Sequence, residues 1–403
     1  GAVAALMEAF PAAFNNGYCK SMAGQFGEYA TLLTSTNVPK VAEAFNFQIL
    51  PYLPQSLFIV IARLFGFGAL GQMYAARIGG LAFYSVICYF ALKNCDKYRP
   101  IMTAVMFLPI SIYISASASY DGLLLSMTYL LVSFLCKDKI TLGDLPIMAL
   151  CVATSAVKLP QLMFVLVLFL IPKEKWQMQT KKGKRISPII AALLCIASCD
   201  FVYFLMGEYT AIFKTGYAPT TRWNPDVNVA EQLKFVLANP IRTIAVMLFT
   251  LYENSFYIPA LGSFGALDVN ILMVAIISLI SLLVSAFLSV EKKNSDKKSK
   301  IILMAVLAVA YIASTIGAMY ITWTPVAMVR VIGVQVRYFL PAFPLLLIGL
   351  SWLLSKVFII CEENKKRLET LALSVPFVVA IISGILLFQH TYIGPFVRNA
   401  KIF

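Results

Sequence analysis

Apolar residues fall in long runs along this chain, and the polar positions between them mark the element ends. The first clean run, about residues 71–93, matches the roughly 20 residues a helix needs to cross a bilayer core. Lys93, Lys97 and Arg99 follow it and put its end on the cytoplasmic side. A run at 98–117 leads back out, with Pro109 expected as a kink. The small-residue turn "SASASYDG" comes next, and the run 119–136 returns to Lys137 and Lys139. Residues 143–172 hold two short apolar pieces around Lys158-Leu159-Pro160. They read as a helical hairpin with Lys158 at its outer tip, returning to the basic loop "PKEKWQMQTKKGKR". The run 186–206 then goes out. The later runs 269–290, 301–322, 338–360 and 368–390 alternate, with "EKKNSDKKSK" and "EENKKR" inside and the tail 391–403 outside.

Three stretches break the rhythm. Residues 1–50 mix small residues with Glu8, Glu28 and Glu43 and read as an ordered segment outside the membrane. Residues 51–68 are apolar but short, and Pro51 and Pro54 suit a helix start. A helix lying at the interface is expected there. Residues 207–239 form the longest polar stretch, and its second half fits a surface helix capped by Asn228 with Glu231 three residues on. Counting 240–258 as a crossing would put the lysines of 291–300 outside, against the charge rule. That segment is therefore read as dipping in and returning.

The pattern gives an all-α fold, a polytopic transmembrane bundle of about ten to twelve membrane segments. It forms a single transmembrane domain over 1–403. An external segment with the interfacial helix covers 1–70, a first helical group 71–206, an external or re-entrant segment 207–268, and C-terminal helices 269–390. No internal repeat of useful strength is visible.

Composition agrees. The chain is 60% apolar and 13% charged, against about 25% charged in soluble domains. Its net charge is +14. The lysines and arginines collect in short segments between apolar runs, which is positive-inside topology rather than a nucleic-acid groove. Nucleic acid is therefore excluded as a partner. There is one histidine, His390, and the eight cysteines contain no C-x-x-C pair. No multi-histidine metal site, zinc site or redox motif is supported and no cofactor is expected, while the need for a divalent metal stays open. Cys88, Cys136, Cys151, Cys195 and Cys199 lie in apolar helices and read as small hydrophobes. The sequence begins at Gly1 without a clean span in its first 50 residues, and an upstream span is expected.

Ionisable residues inside spans cost a few kcal/mol and are functional candidates by default. Arg77 lies on the order of 9 Å into the first span. Asp121 opens its span, Lys158 sits at the hairpin tip, and Arg337 opens a span within "GVQVRYFLPAFP" with Gln335 and Tyr338 beside it. By the charge topology all four fall in the outer half of the membrane. Three cations could hold a phosphate, with arginine offering a planar fork of donors. The carboxylate could serve as a general base, or position a metal or a sugar hydroxyl. Each also has a plainer role: Arg77 on backbone carbonyls, Asp121 as a helix cap, Lys158 as an interfacial anchor, Arg337 in an ion pair with Asp121. Trp323 and Tyr320, and Tyr338 with them, fit an interface belt. Asp200, Glu253, Asn254 and Asp268 are weaker candidates.

The stretches "FLPISIYISASASYDGLLLSMTYLL", "SAVKLPQLMFVLVLFLIPK", "LGSFGALD" and "WTPVAMVRVIGVQVRYFLPAFPLLL" resemble the bacterial multispanning family called domain of unknown function 2142. "YLPQSLF" and "MYAARIGGLAFYSVICYFAL" resemble its early region. The likeness runs from about residue 50 to 350, and the box around Arg337 is its most specific part. Val336 stands where the family commonly has Gly, and Phe264 sits in a box where a Trp often follows the second Gly. The family in turn resembles the C-type glycosyltransferases, which use polyprenyl-phosphate sugars. The 2142 family typically carries an acidic Pro-Asp-Glu motif in its first external loop, where the C-type enzymes usually place their catalytic carboxylate; that motif is absent here, so the resemblance makes Asp121 a secondary acid.

Together these imply a glycosyltransferase of the bacterial cytoplasmic membrane. Its donor would be a lipid-linked sugar and its acceptor a cell-envelope glycan or lipid on the outer face. Asp121 is the catalytic candidate within this chain, orienting the acceptor or the sugar, and Arg337, Lys158, Arg77, Gln335 and Tyr338 would bind the substrate. Membrane lipids are the other expected partner. A multispanning transporter or flippase, or a non-catalytic envelope-assembly protein, is the alternative.

Overall fold

A computed structural model of the chain describes residues 50–177, 187–205, 227–254, 261–264, 269–290, 298–358 and 365–390. These residues are overwhelmingly helical. Helix α1 (Leu53–Leu64) turns back along α2 (Ala69–Asn94) as an antiparallel hairpin. The close approach needs Gly79, where a Cβ would lie 2.6 Å from the Pro54 carbonyl. Next come α3 (Arg99–Met106), α4 (Pro109–Ser115) and α5 (Asp121–Ser133). Helix α6 (Leu145–Ala153) is followed by two 3-10 turns, Thr154–Val157 and Leu159–Leu166, and the short α7 (Val167–Leu170). Helices α8 (Pro188–Leu205), α9 (Val229–Ala238) and α10 (Pro240–Asn254) lead to a two-stranded antiparallel ribbon, β1 (Ser263–Phe264) with β2 (Val269–Asn270). The chain closes with α11 (Leu272–Leu288), α12 (Lys298–Thr322), α13 (Phe343–Leu354) and α14 (Lys365–Phe388).

Proline writes most of the breaks. It stands in the first or second position of α1, α3, α4, α6 and α13, where its missing N–H is not needed. The run 98–117 was expected as one kinked span. It is two helices instead, because Leu108 before Pro109 is driven to extended angles (φ −53°, ψ 134°). The 143–172 hairpin forms and closes at its base, where Ile140 N–H donates to the Lys175 carbonyl and Gln177 N–H to the Ile140 carbonyl, both 2.8 Å. Lys137 pairs with the buried Asp144 there. The Asn228 cap also forms: its Oδ1 accepts the Glu231 N–H at 3.1 Å. The two-stranded ribbon is an element the apolar pattern did not signal.

Polarity is arranged for an apolar solvent. Helix α3 is buried on every side from Pro100 to Met106, and α5 almost so. The inner face of α11 carries Ala275, Ser278, Ser281, Ser285 and Ala286, small residues that let backbones approach without a hydrophobic drive. The outward faces carry the large apolar residues, such as Ile241, Ile244, Leu248 and Tyr252 on α10 and Phe377, Ile381, Ile385 and Phe388 on α14. In water such stripes would be covered; lipid is the medium that leaves them open. Among the described residues two helices are long and apolar enough to cross a membrane alone, Leu70–Asn94 and Lys298–Thr322. The bent pair α9–α10 would be a third if counted as one broken span. The other apolar helices are shorter, 10–17 residues, so of the about ten to twelve membrane segments expected, two or three are long and apolar enough to cross among the described residues.

Candidate functional site

The small-residue turn before α5 is held from two sides. Arg77, in the first half of α2, donates Nε–H to the Ala116 carbonyl at 2.8 Å. Gln55 on α1, almost fully buried, donates Nε2–H to the Ser119 carbonyl at 2.9 Å. Ser119 Oγ accepts the Asp121 N–H at 3.2 Å. Gly122 is required where α5 crosses α4, since a Cβ would sit 2.6 Å from Ser115 Cα. The turn is thereby fixed. Among the described residues α5 has no side-chain cap bond, and the Asp121 carboxylate in its first turn meets Lys158.

Lys158 separates the two 3-10 turns of the hairpin. Pro160 cannot continue the ladder, so Lys158 takes open angles (φ −137°, ψ 88°) and marks the tip. Its Nζ lies 2.5 Å from Asp121 Oδ1, with the side chains 30% and 18% exposed. The same Nζ sits over two rings, Tyr120 at 5.3 Å and Tyr338 at 4.7 Å.

Arg337 arrives in a 3-10 turn, Val336–Tyr338, after Gln335 in extended conformation. Tyr311 on α12 fixes that turn by donating its hydroxyl to the Tyr338 carbonyl at 2.8 Å. The Arg337 guanidinium lies 5.3 Å from the Tyr338 ring, the ring that also carries Lys158. Asp121 pairs with Lys158, and among the described residues no carboxylate pairs with Arg337. Of its five N–H donors, one makes a long bond to the Tyr338 hydroxyl, 3.4 Å, and Nε is buried with no partner. Two cations and one carboxylate leave the cluster with a net positive charge.

The structure thus brings Asp121, Lys158, Arg337 and Tyr338 together, and places Arg77 behind them on a carbonyl. Gln335 enters through its backbone, whose carbonyl accepts the Tyr338 N–H at 3.0 Å. The sequence reading passed over Tyr120 and Tyr52. Their rings meet edge to face at 5.5 Å. Burial, then the Asp121 charge, pushes the Tyr52 hydroxyl up from the usual tyrosine range. Tyr120 is the neighbour of Asp121 in "SYDG", a signal that was open to view. The belt reading of Tyr320 needs correction. It is fully buried and donates to the Met328 carbonyl at 3.0 Å, because the chain after α12 folds back over it. Glu8, Glu28, Glu43 and Asp268 lie outside the described residues, as do the side chains of Glu253 and Asn254.

The family model described as "Predicted membrane protein (DUF2142)" matches residues 29–346, most of the chain and every residue of this cluster, and the chain belongs to that family. Neither a curated protein nor a solved structure matches it.

Proposed function

We propose that this membrane protein is a glycosyltransferase taking a sugar from a polyprenyl-phosphate donor to a cell-envelope glycan or lipid, on the outer face of a bacterial cytoplasmic membrane it crosses many times. The observation that carries the reading is Arg337, a half-buried guanidinium with no carboxylate partner among the described residues and an unpaired Nε, next to a second cation. A half-buried cation without a counter-charge is costly unless an anion arrives to meet it. Arginine's fork suits a phosphate, and the apolar outward faces suit its lipid tail.

In this reading the donor phosphate lies between Arg337 and Lys158. Lys158 then exchanges Asp121 for phosphate oxygens, and the released carboxylate accepts the proton of an acceptor hydroxyl. The hydroxyl oxygen bonds to the anomeric carbon, the carbon–oxygen bond to phosphate breaks, and polyprenyl phosphate leaves with the electron pair. Arg77 and Gln55 hold the turn that aims Asp121, and Tyr120 and Tyr338 wall the cations.

The test is incubation of the purified full chain in micelles with a labelled polyprenyl-phosphate sugar and a mixed envelope-glycan acceptor. Release of polyprenyl phosphate, lost in Arg337→Ala, supports transfer. Sided movement of intact donor in vesicles without release would replace transfer by flipping.

A further inference from the structure

The loop that delivers Arg337 is held from outside. Between α12 and the 3-10 turn the chain crosses residues 323–335 with two positive-φ residues, Ala327 (φ 61°) and Gly333 (φ 79°). Glycine suits 333, where a Cβ would lie 2.7 Å from the Trp323 ring nitrogen. Alanine does not suit the left-handed region, and its conformation there costs on the order of 1 kcal/mol. Something must hold Ala327, and it is the elbow of α9 and α10, helices bent by 108° to one another.

Three side chains from that elbow grip the loop backbone, all across more than eighty residues of sequence. Gln232 on α9 accepts the Ala327 N–H on Oε1 at 2.9 Å. Arg242 on α10 donates to the Ala327 carbonyl at 3.4 Å. Thr250, two turns further along α10, accepts the Val331 N–H on Oγ1 at 2.9 Å while donating to the Val246 carbonyl. Gln232, Thr250 and Val331 are all fully buried. Four residues after Val331 comes Gln335, and then the turn that Tyr311 pins from the other side.

Gln232 is informative because it is a poor choice for stability. Its Nε2 is buried with no partner, and an orphaned buried donor costs about 1–3 kcal/mol. A methionine of the same length would fill the space without that penalty. The amide fixes one thing in return, the strained Ala327. An orphaned buried donor kept in order to hold a strained backbone points to placement of the loop rather than to stability.

We propose that Gln232 and Thr250 are positioning residues: the α9–α10 elbow clamps the 323–335 loop and so sets the Arg337 guanidinium against Tyr338 and Lys158. The inference rests on the anion reading of that cluster. It also gives a role to the segment whose path across the membrane the charge rule left awkward.

The experiment uses the full chain in micelles, with polyprenyl monophosphate as the binding probe and hydrogen exchange of peptides covering 325–332 as an independent readout. Gln232→Met should raise exchange at Ala327 and weaken phosphate binding by about two- to tenfold, the worth of one net hydrogen bond. Gln232→Glu, which keeps an acceptor oxygen at the same reach, should restore both. Thr250→Val should act the same way at Val331, and stands in if Gln232→Met does not fold. Faster exchange with unchanged binding would overturn the positioning role; unchanged exchange would overturn the clamp. Arg337→Ala is run beside them. If it binds the probe as the parent does, the anion reading falls, while the exchange data still decide the clamp.

Discussion

Replacing Lys158 by methionine leaves the Asp121 carboxylate, 18% exposed, without its counter-charge. The size of the effect can be worked from the site. An exposed ion pair is worth about 0–1 kcal/mol, and stripping one partner from a fully buried pair costs about 3–5 kcal/mol. This pair is intermediate, so about 1–3 kcal/mol is expected. Lys158 also lies over the Tyr120 and Tyr338 rings, each contact adding about 0.5–1 kcal/mol. Lys158→Met should therefore lose about 2–5 kcal/mol. Asp121→Asn keeps an acceptor for Lys158 and leaves both ring contacts, so it should lose only about 1–2 kcal/mol. The double variant should be milder than the sum by about 1–2 kcal/mol, because removing the second charge no longer breaks anything. Reversible unfolding in mixed micelles, followed by circular dichroism, reads all three. Additivity within about 0.5 kcal/mol would mean that the two charges do not interact, and the account of the site would have to be redrawn.

Other consequences are nearer the scaffold. Gly122→Ala should destabilise by about 1–3 kcal/mol, since its Cβ meets the Ser115 backbone. Gly349→Ala on α13, with nothing within 4 Å, should be neutral or stabilising by up to about 1 kcal/mol; thermal unfolding of the pair side by side checks both. Arg77→Ala should lower the melting temperature through its lost bond to Ala116 while binding of polyprenyl phosphate stays within about twofold of the parent. A loss as large as that of Arg337→Ala would move Arg77 into the phosphate clamp. Tyr320→Phe should cost about 1 kcal/mol by freeing the Met328 carbonyl, read by the same unfolding assay.

The sequence carried the helices further than their ends. Apolar runs located α2, α5, α8, α11 and α12, and Asn228 with Glu231 marked the start of α9, because these are local signals of spacing and capping. Breaks were harder. Pro109 was visible, but whether proline kinks a helix or divides it depends on what packs around Leu108, and here α3 is buried on all sides. The candidate site was legible as a set of misplaced charges, since an ionisable residue in an apolar run stands out by itself. Its pairing was not legible. Arg337 was as good a partner for Asp121 as Lys158 until the hairpin tip and the pinned Tyr338 turn set the distances. Gln55 and Gln232 are lone amides in ordinary surroundings, and only the backbone groups they reach, 64 and 95 residues away, give them meaning.

The central claim is that Arg337 waits for a phosphate, and binding of a polyprenyl monophosphate to the purified chain in micelles tests it most directly. A charge-assisted contact from the guanidinium is worth about 1.5–3 kcal/mol, so Arg337→Ala should weaken binding by about ten- to a hundredfold, with Arg337→Lys recovering part of it. Equal affinity in the parent and Arg337→Ala would contradict the claim.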